Sequence, residues 1–160
     1  MLVLGIDPGT ATTGFALVKK RGKYFECVHC GTIDTLPSQT ISKRLQIINN
    51  GLSKIIKEYG PSILAMEKVF FFKNLKTIIP VSQAQGVILL TAAKKNLPVW
   101  QLTPIQVKMI ITGYGRSKKK QVEEEIKKII KIAEMPKSDD AVDAIAIAIC
   151  YLIKKDDPST

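Results

Sequence analysis

The sequence is poor in the residues that build zinc sites and disulfide frameworks. Its 160 residues include three cysteines and a single histidine, His29, which stands between Cys27 and Cys30. These three side chains form half of a zinc-binding pattern, and no second cysteine pair or further histidine completes a tetrahedral site. An odd number of cysteines also argues against a disulfide scaffold. We therefore expect the cysteines to be small core or surface residues.

Long apolar runs are also missing. No stretch reaches the ~18 apolar residues that suggest a membrane-spanning helix. The opening MLVLGIDPG has neither the basic leader nor the small-residue cleavage site of a signal peptide. We expect an intracellular protein of the cytoplasm that does not contact a membrane. Because 46% of the residues are hydrophobic and 24% are charged, a single globular domain over 1–160 is expected.

Acidic residues are outnumbered by basic ones. The chain has 24 Lys and Arg residues against 14 Asp and Glu residues, a formal net charge of +10 at pH 7. Such an excess favours a polyanionic partner, because each lysine placed on a phosphate releases a condensed counterion. A merely solubilising surface would give the same total. Charge therefore suggests nucleic-acid binding without proving it.

Hydrophobic periodicity predicts an α/β fold. Three strands in a meander come first, and then helices alternate with two further strands. This order indicates a mixed five-stranded sheet, a three-strand meander followed by two parallel strands, with helices on both faces. The expected strands are 2–6, 13–19, 24–33, 62–67 and 99–102, and the expected helices are 41–59, 77–95, 104–111, 122–130 and 141–154.

Acidic residues stand at the ends of two predicted strands. Asp7 follows the first strand and opens DPGT, which fits a type II turn with Gly9 at a positive φ. Glu67 ends the fourth strand, and open α/β sheets place their sites at this carboxyl edge. Neighbouring strands lie ~4.7–4.9 Å apart, so adjacency would bring the two carboxylates together. Asp140 and Asp143 share one face at the start of the last helix and can point at the same edge.

This set of acids suits divalent metal ions. Mg²⁺ prefers one or two carboxylates together with water and phosphate oxygens, and two such ions can activate a water to cut a phosphodiester. Ordinary alternatives exist for most of the acids. Asp7 could merely open a turn, Glu67 could face solvent, and either Asp139 or Asp140 could cap a helix. Asp143 fits such an alternative least, because it lies among apolar residues past the capping position.

A run of phenylalanines follows Glu67 in the segment VFFFKN. Three successive rings cannot all enter the core, and an exposed ring beside a phosphodiester site could stack on an unpaired base. Nearby basic residues could line a channel for the nucleic-acid backbone, although for any single one a solvated surface position is the simpler interpretation. These residues are Lys73, Lys76, Lys108 and the cluster from Arg116 to Lys120.

Four segments together resemble the RuvC-type Holliday junction resolvases. They are LGIDPGTATTGFAL, MEKVFFFKN, SQAQGV and DDAVDAIAIAI, which follow in this order across almost the whole chain. The resemblance implies a ribonuclease H-like fold, a homodimer, and Mg²⁺-dependent cleavage of four-way DNA junctions by paired symmetric nicks. It also implies two Mg²⁺ ions per site, which Mn²⁺ could replace. It further implies cooperation with the RuvA–RuvB branch-migration complex in DNA recombination and repair, which take place in the bacterial cytoplasm.

The resemblance assigns site residues by motif. It implies four catalytic, metal-binding acids, one junction-contacting aromatic residue and two functional lysines, of which Lys119 is catalytic. The extra acid Asp139 leaves open which of two neighbours is the ligand, and a shift of one place would exchange Lys119 for Lys118 or Lys120. The acids are Asp7, Glu67, Asp140 and Asp143; the aromatic residue is Phe70; the lysines are Lys108 and Lys119; and the wider DNA-binding set adds Lys73, Arg116, Lys118 and Lys120.

Three other interpretations stay open. A related ribonuclease H-like nuclease acting on structured RNA would use the same acids, and competition between junction DNA and RNA would separate the two. DPGTATTG could instead be the phosphate loop of an actin-like or sugar-kinase ATPase, although such proteins place the nucleotide between two domains of this kind. A protein that binds junctions without cleaving them would keep its affinity and show no nicking with Mg²⁺.

Overall fold

The fold is given by a computed structural model that describes residues 1–68 and 75–156, with the side chains of 75–77 left aside. Six strands and five helices lie in these two ranges. The strands are β1 (Leu2–Asp7), β2 (Thr12–Arg21), β3 (Tyr24–Asp34), β4 (Ile63–Glu67), β5 (Val99–Leu102) and β6 (Ile130–Lys131), and the helices are α1 (Ile41–Tyr59), α2 (Leu75–Lys94), α3 (Pro104–Thr112), α4 (Lys119–Ile129) and α5 (Asp139–Asp156).

The strands form one mixed sheet in the order β5-β4-β1-β2-β3-β6. β1, β2 and β3 pair antiparallel as a meander, while β4 runs parallel to β1 and β5 parallel to β4. The predicted meander with two parallel strands is therefore confirmed. The predicted number of strands was wrong, because the described part of the chain contributes a sixth.

The sixth strand replaces the end of a predicted helix. α4 ends at Ile129, and Ile130 is extended with φ −101° and ψ 141°. Ile130 pairs with Phe25 at the open edge of β3 and is buried there. A run of isoleucines fits one helix face or a buried strand equally well, and β-branched residues favour the strand. Ile130 is a strand residue here because it pairs with the otherwise open edge of β3.

Helices cover both faces of the sheet, as predicted. α3, α4 and α5 pack on one face and α1 and α2 on the other, each side enclosing its own apolar cluster. Within the described ranges, no helix is both long and apolar enough to cross a membrane.

Helix α5 lies directly on the backbone of β1 and β2. A Cβ atom at Gly5 would collide with the carbonyl oxygen of Ala144, and one at Gly14 would collide with the carbonyl oxygen of Asp140. Only glycine permits this approach, because any side chain would push the helix outward. The first turns of α5 are therefore held against the sheet edge that carries Asp7.

A β-bulge in β3 separates the cysteines from the histidine. His29 pairs with Leu17 and Cys27 with Val18, so Val28 is the extra residue. Cys27 and Cys30 consequently both pack against the cluster under α5. His29 lies on the opposite face, where its ring stacks on Tyr59. The half zinc pattern is thus divided between two faces, and the thiols are packing residues as expected.

Candidate active site

The sheet brings Asp7 and Glu67 to one edge. β1 and β4 are parallel neighbours with Ile6 opposite Met66, so the two acids are the final residues of adjacent strands. The sequence left the adjacency of these strands as a condition for bringing the two carboxylates together, and the pairing of β1 with β4 meets that condition. Ile6 and Met66 are buried on the α1 and α2 side. Because successive side chains alternate, both carboxylates point towards the face that α5 covers.

The DPGT segment adopts a different conformation from the predicted type II turn. Gly9 is not among the glycines with a positive φ, so that prediction was wrong. Glycine is required here for another reason, because a Cβ atom would collide with the Thr12 carbonyl oxygen. The Thr13 hydroxyl donates to the Gly9 carbonyl at 2.7 Å, which closes the segment tightly behind Asp7.

The start of α5 distinguishes Asp139 from Asp140. Asp139 is highly exposed, with 80% of its side chain accessible. Asp140 is half-buried, and its carbonyl contacts Gly14, the residue that pairs with Asp7 in the sheet. Asp143 follows on the same helix face and is also half-buried. Of the two acids left open by the sequence, Asp140 is the one next to Asp7.

The clustered carboxylates perturb one another. The pKa of Asp7 is raised from 3.8 to about 7, chiefly by burial and then by the charges of Asp143, Glu67 and Asp140. Burial and the charge of Asp143 likewise raise the pKa of Glu67 from 4.5 to about 7, against the lowering effect of Lys108. Burial also raises the pKa of Asp143. Burial and the neighbouring carboxylates therefore disfavour full ionisation of Asp7 and Glu67.

Lys119 reaches into this acidic cluster. Its Nζ lies 2.8 Å from Asp143 Oδ2 and 3.4 Å from Asp139 Oδ2. Burial is the largest single effect and lowers the pKa of Lys119, but the hydrogen bonds and charges of Asp143 and Asp139 together outweigh it, so the net shift is upward. Lys118 and Lys120 are exposed, and neither takes part in the ion pairs with these acids. Of the three candidate lysines, Lys119 is the one that contacts the carboxylates.

A cleft of about 240 Å³ opens beside the carboxylates. Two acids and two lysines face it: Glu67, Asp143, Lys108 and Lys119. Lys108 is held there by α3, whose first turn is closed by a capping box on Thr103. Apolar residues from α3, α4 and α5 complete the walls, and they are Pro104, Val107, Val122, Ala146 and Ile147. The cleft thus combines acidic and basic groups with apolar walls.

The donor set fits hard divalent cations. Among residues 1–68 and 75–156, no three Asp, Glu, His or Cys side chains stand close enough to form a ready-made metal site. The four acids Asp7, Glu67, Asp140 and Asp143 nevertheless supply oxygen ligands only, which suit Mg²⁺ or Mn²⁺. Their mutual repulsion would be relieved by a cation, as the raised pKa values of Asp7 and Glu67 indicate.

Several residues of the predicted DNA-binding set lie away from the cleft or outside the described residues. Phe70 and Lys73 fall in the second group, so their predicted roles stay predictions. Arg116 is exposed on the segment between α3 and α4. Ser117 next to it is buried and shares a 2.7 Å hydrogen bond with Thr112, which fixes that segment to the end of α3.

The residues that support the DPGT segment on the side away from the cleft were not predicted from the sequence. Thr10 and Thr35 are buried, and Arg44 donates a hydrogen bond to the Thr35 hydroxyl at 2.7 Å. Buried threonines carry no periodic signal, and an arginine near the start of an amphipathic helix reads as surface. Only the packing of α1 against the end of β3 distinguishes these residues.

Comparison with known proteins gives a consistent result. Residues 3–151 match the family described as crossover junction endodeoxyribonuclease RuvC. The chain is 41% identical to the crossover junction endodeoxyribonuclease RuvC of Natranaerobius thermophilus over 94% of each chain. It is 45% identical to that of Pelotomaculum thermopropionicum, covering 94% of this chain and 92% of the relative.

Solved structures agree with the sequence relatives. The Thermus thermophilus RuvC structure superposes with a TM-score of 0.90 at 28% identity, covering 98% of this chain and 96% of that one. The same protein in complex with a Holliday junction substrate also gives 0.90 at 28% identity, covering 97% and 94%. The expected ribonuclease H-like fold and the resemblance stated from the four segments are both confirmed. The chain belongs to the RuvC family of crossover junction endodeoxyribonucleases.

Proposed function

We propose that this chain resolves four-way DNA junctions by hydrolysing phosphodiester bonds at the cleft beside α5, with Asp7, Glu67, Asp140 and Asp143 holding two Mg²⁺ ions. The observation that carries the proposal is the meeting of Asp7 and Glu67 at the ends of adjacent strands, with the charge of Asp143 acting on both. Membership of the RuvC family identifies the reaction class. The net charge of +10 suits a DNA substrate.

The four acids have distinct structural supports. Asp7 and Glu67 are fixed by the strand backbone, whereas Asp140 and Asp143 are carried by a helix that touches β2 through Gly14. When bound, paired divalent cations activate a water and stabilise the leaving oxygen of a phosphodiester. A rigid sheet and a helix held at backbone contact keep the ligand oxygens in place without reorganisation.

The two lysines supply positive charge to the substrate. Lys119 Nζ donates to Asp143 at 2.8 Å and lines the cleft, where it could also donate a proton or hydrogen bond to a phosphate or leaving oxygen. Lys108 lines the same cleft and can bind a neighbouring phosphate. Arg116, Lys118 and Lys120 are exposed near the start of α4, where they can follow the DNA backbone, and Phe70 and Lys73 complete the proposed contact set.

Membership of the RuvC family supports a proposal for the partners and the cellular setting. We infer a homodimer, because paired symmetric nicks require two active sites on one junction. We also infer action with the RuvA–RuvB complex in the bacterial cytoplasm. Light scattering at increasing concentration should report twice the mass of one chain. A monomer that nicks both strands equally would contradict the dimer.

Cleavage of a synthetic four-way junction tests the proposal. With labelled strands and Mg²⁺, the wild type should nick two strands of like polarity at symmetric positions. Asp7→Asn should lose the nicks while still binding the junction, whereas the exposed Asp34→Asn serves as a matched control and should cleave normally. Unchanged cleavage by Asp7→Asn would refute the assigned site.

Competition with RNA tests the substrate class. Structured RNA added in excess should leave junction cleavage unchanged if DNA junctions are the substrate. Efficient cleavage of the RNA itself would favour the alternative nuclease. Replacing Mg²⁺ by Mn²⁺ should preserve the cut positions, because both cations prefer oxygen ligands.

A further inference from the structure

A series of hydrogen bonds supports the DPGT segment on the side away from the cleft. Thr10 is buried, with 4% of its surface exposed, and its Oγ1 donates to the Pro80 carbonyl of α2 at 2.5 Å. Thr35, just past the end of β3, is also buried and donates its Oγ1 to the Thr10 carbonyl at 2.6 Å. The Thr35 backbone N–H donates to the Ala11 carbonyl at 2.9 Å. The turn behind Asp7 is thus bonded from two sides.

Arg44 completes the series from α1. Its Nε donates to Thr35 Oγ1 at 2.7 Å, and in the described part of the chain no carboxylate lies within ion-pair distance of it. Hydrogen bonds from a charged donor are stronger than neutral ones. A hydroxyl that accepts from a cation is polarised and becomes a better donor in turn. Arg44 therefore strengthens the bond from Thr35 to Thr10.

The series of hydrogen bonds ends on helix α2, at the carbonyl of Pro80. Pro80 lies inside the helix, has no N–H to donate to the preceding turn, and accepts the Thr10 hydroxyl through its carbonyl. One turn later, Gln85 Nε2 donates to the carbonyl of Glu67 at 3.4 Å. The same helix thus contacts the backbone carbonyl of Glu67 and the side-chain hydroxyl of Thr10, three residues beyond Asp7.

We propose that Arg44, Thr35 and Thr10 form a positioning relay that sets the placement of Asp7 relative to Glu67 by fixing the DPGT segment against α2. The relay rests on the proposed nuclease function for its catalytic consequence. Its three members lie on the α1 and α2 side and act through Asp7, so they are positioning residues. A carboxylate that must share cations with Glu67 needs a fixed backbone, and small misplacements are costly in such sites.

Thr35→Val tests the relay because it removes the hydroxyl while keeping the shape of the side chain. Single-turnover cleavage at saturating junction should fall about tenfold or more. The Mg²⁺ concentration for half-maximal rate should rise, and junction affinity measured without metal should stay unchanged. Thr91→Val is the matched control, since Thr91 is also buried, donates to the Val87 carbonyl at 2.7 Å, and lies on α2, across the sheet from the helices that line the cleft. It should lose comparable stability and keep its rate and metal dependence.

Hydrogen exchange of the metal-free protein gives a readout independent of activity. Amides of residues 9–12 should exchange faster in Thr35→Val than in the wild type and should be unaffected in Thr91→Val. Arg44→Lys, which keeps the charge and loses the Nε donor, should behave as Thr35→Val does, while Thr35→Ser should behave as the wild type. If Thr35→Val does not fold, the exchange rates of Arg44→Lys and Thr35→Ser decide whether the relay exists.

The outcomes separate the relay from the proposed function. Failure of the wild type to cleave junctions would refute the proposed nuclease function. The hydrogen-exchange comparison would still test the relay in that case. Thr35→Val and Thr91→Val proteins that match in rate, metal dependence and exchange would overturn the relay. A reduced rate explained entirely by weaker junction binding would overturn it as well.

Discussion

Replacing Asp7 by asparagine should stabilise the metal-free protein at high pH. The pKa of Asp7 is raised from 3.8 to about 7 by burial and by its neighbouring carboxylates. Between about pH 4 and pH 7 the folded state therefore holds more protons at this group than the unfolded state. Stability falls as pH rises through this window. The cost of holding a charged Asp7 in the folded state is fully present above this pH window and absent below it. An asparagine at this position carries no charge and removes that cost.

The size of the effect follows from the shift. A rise from 3.8 to about 7 corresponds to about 4 kcal/mol at ~1.4 kcal/mol per unit of pKa. This is an upper limit, because a half-buried asparagine amide that lacks partners costs ~1–3 kcal/mol. We expect a net gain in the free energy of unfolding of about 1–3 kcal/mol at about pH 8, and no gain at about pH 4.

Urea unfolding in the presence of a chelator measures this difference. With equal m-values, the shift in midpoint reports the change in stability directly. Asp34→Asn, at an exposed position of β3, should change stability by less than about 0.5 kcal/mol at either pH. Added Mg²⁺ should narrow the gap by stabilising the wild type. An Asp7→Asn protein that is no more stable than the wild type at about pH 8 would refute the electrostatic reasoning.

Three further changes have defined outcomes. Gly14→Ala should push α5 outward, lower the free energy of unfolding in urea by about 1–3 kcal/mol and abolish cleavage. Gly86→Ala is the control, because a Cβ atom at this position of α2 meets no atom, and it should not destabilise the protein. Equal effects of the two substitutions would contradict the close packing of α5 on β2. Lys119→Met should bind Mn²⁺ more tightly in a titration, because no ammonium competes for Asp143, yet cleave at least about tenfold more slowly; unchanged Mn²⁺ affinity would be the contrary result. Thr103→Ala should lose about 1 kcal/mol through its capping box, and unaltered urea unfolding would show that the cap contributes nothing.

Much of the fold was predictable because its signals are local. β1 is a continuous apolar run ended by Asp7, and α1 shows apolar spacings of three and four residues up to Gly60, which ends the helix in the left-handed conformation. Such patterns arise from burial of one face or both faces of a single element. The positions of Asp7 and Glu67 at strand ends could be predicted in the same way, whereas the adjacency of β1 and β4 that brings them together is supplied by the structure.

The features that escaped prediction depend on contacts between distant segments. Whether Ile130 continues a helix or pairs with Phe25 is decided by the open edge of β3. Gly9 was assigned a positive φ from turn statistics, whereas its small size is needed for the approach of the Thr12 carbonyl. The partner of Lys119 could not be read from a run of lysines either. In each case the deciding neighbour is set by tertiary packing rather than by local pattern.

The extra residue in β3 acts as a phase shift along the strand. Before Val28, odd-numbered residues such as Phe25 pack in the apolar cluster under α5. After Val28, odd-numbered residues such as Ile33 pack in the cluster under α1 and α2. Deleting Val28 would restore uniform alternation and turn one half of the strand inside out. The half that leads to Thr35 would then reach α1 on the wrong side. Val28, which is not part of the carboxylate cluster, therefore determines which face of the sheet the side chains after it occupy, including that of Thr35 behind Asp7.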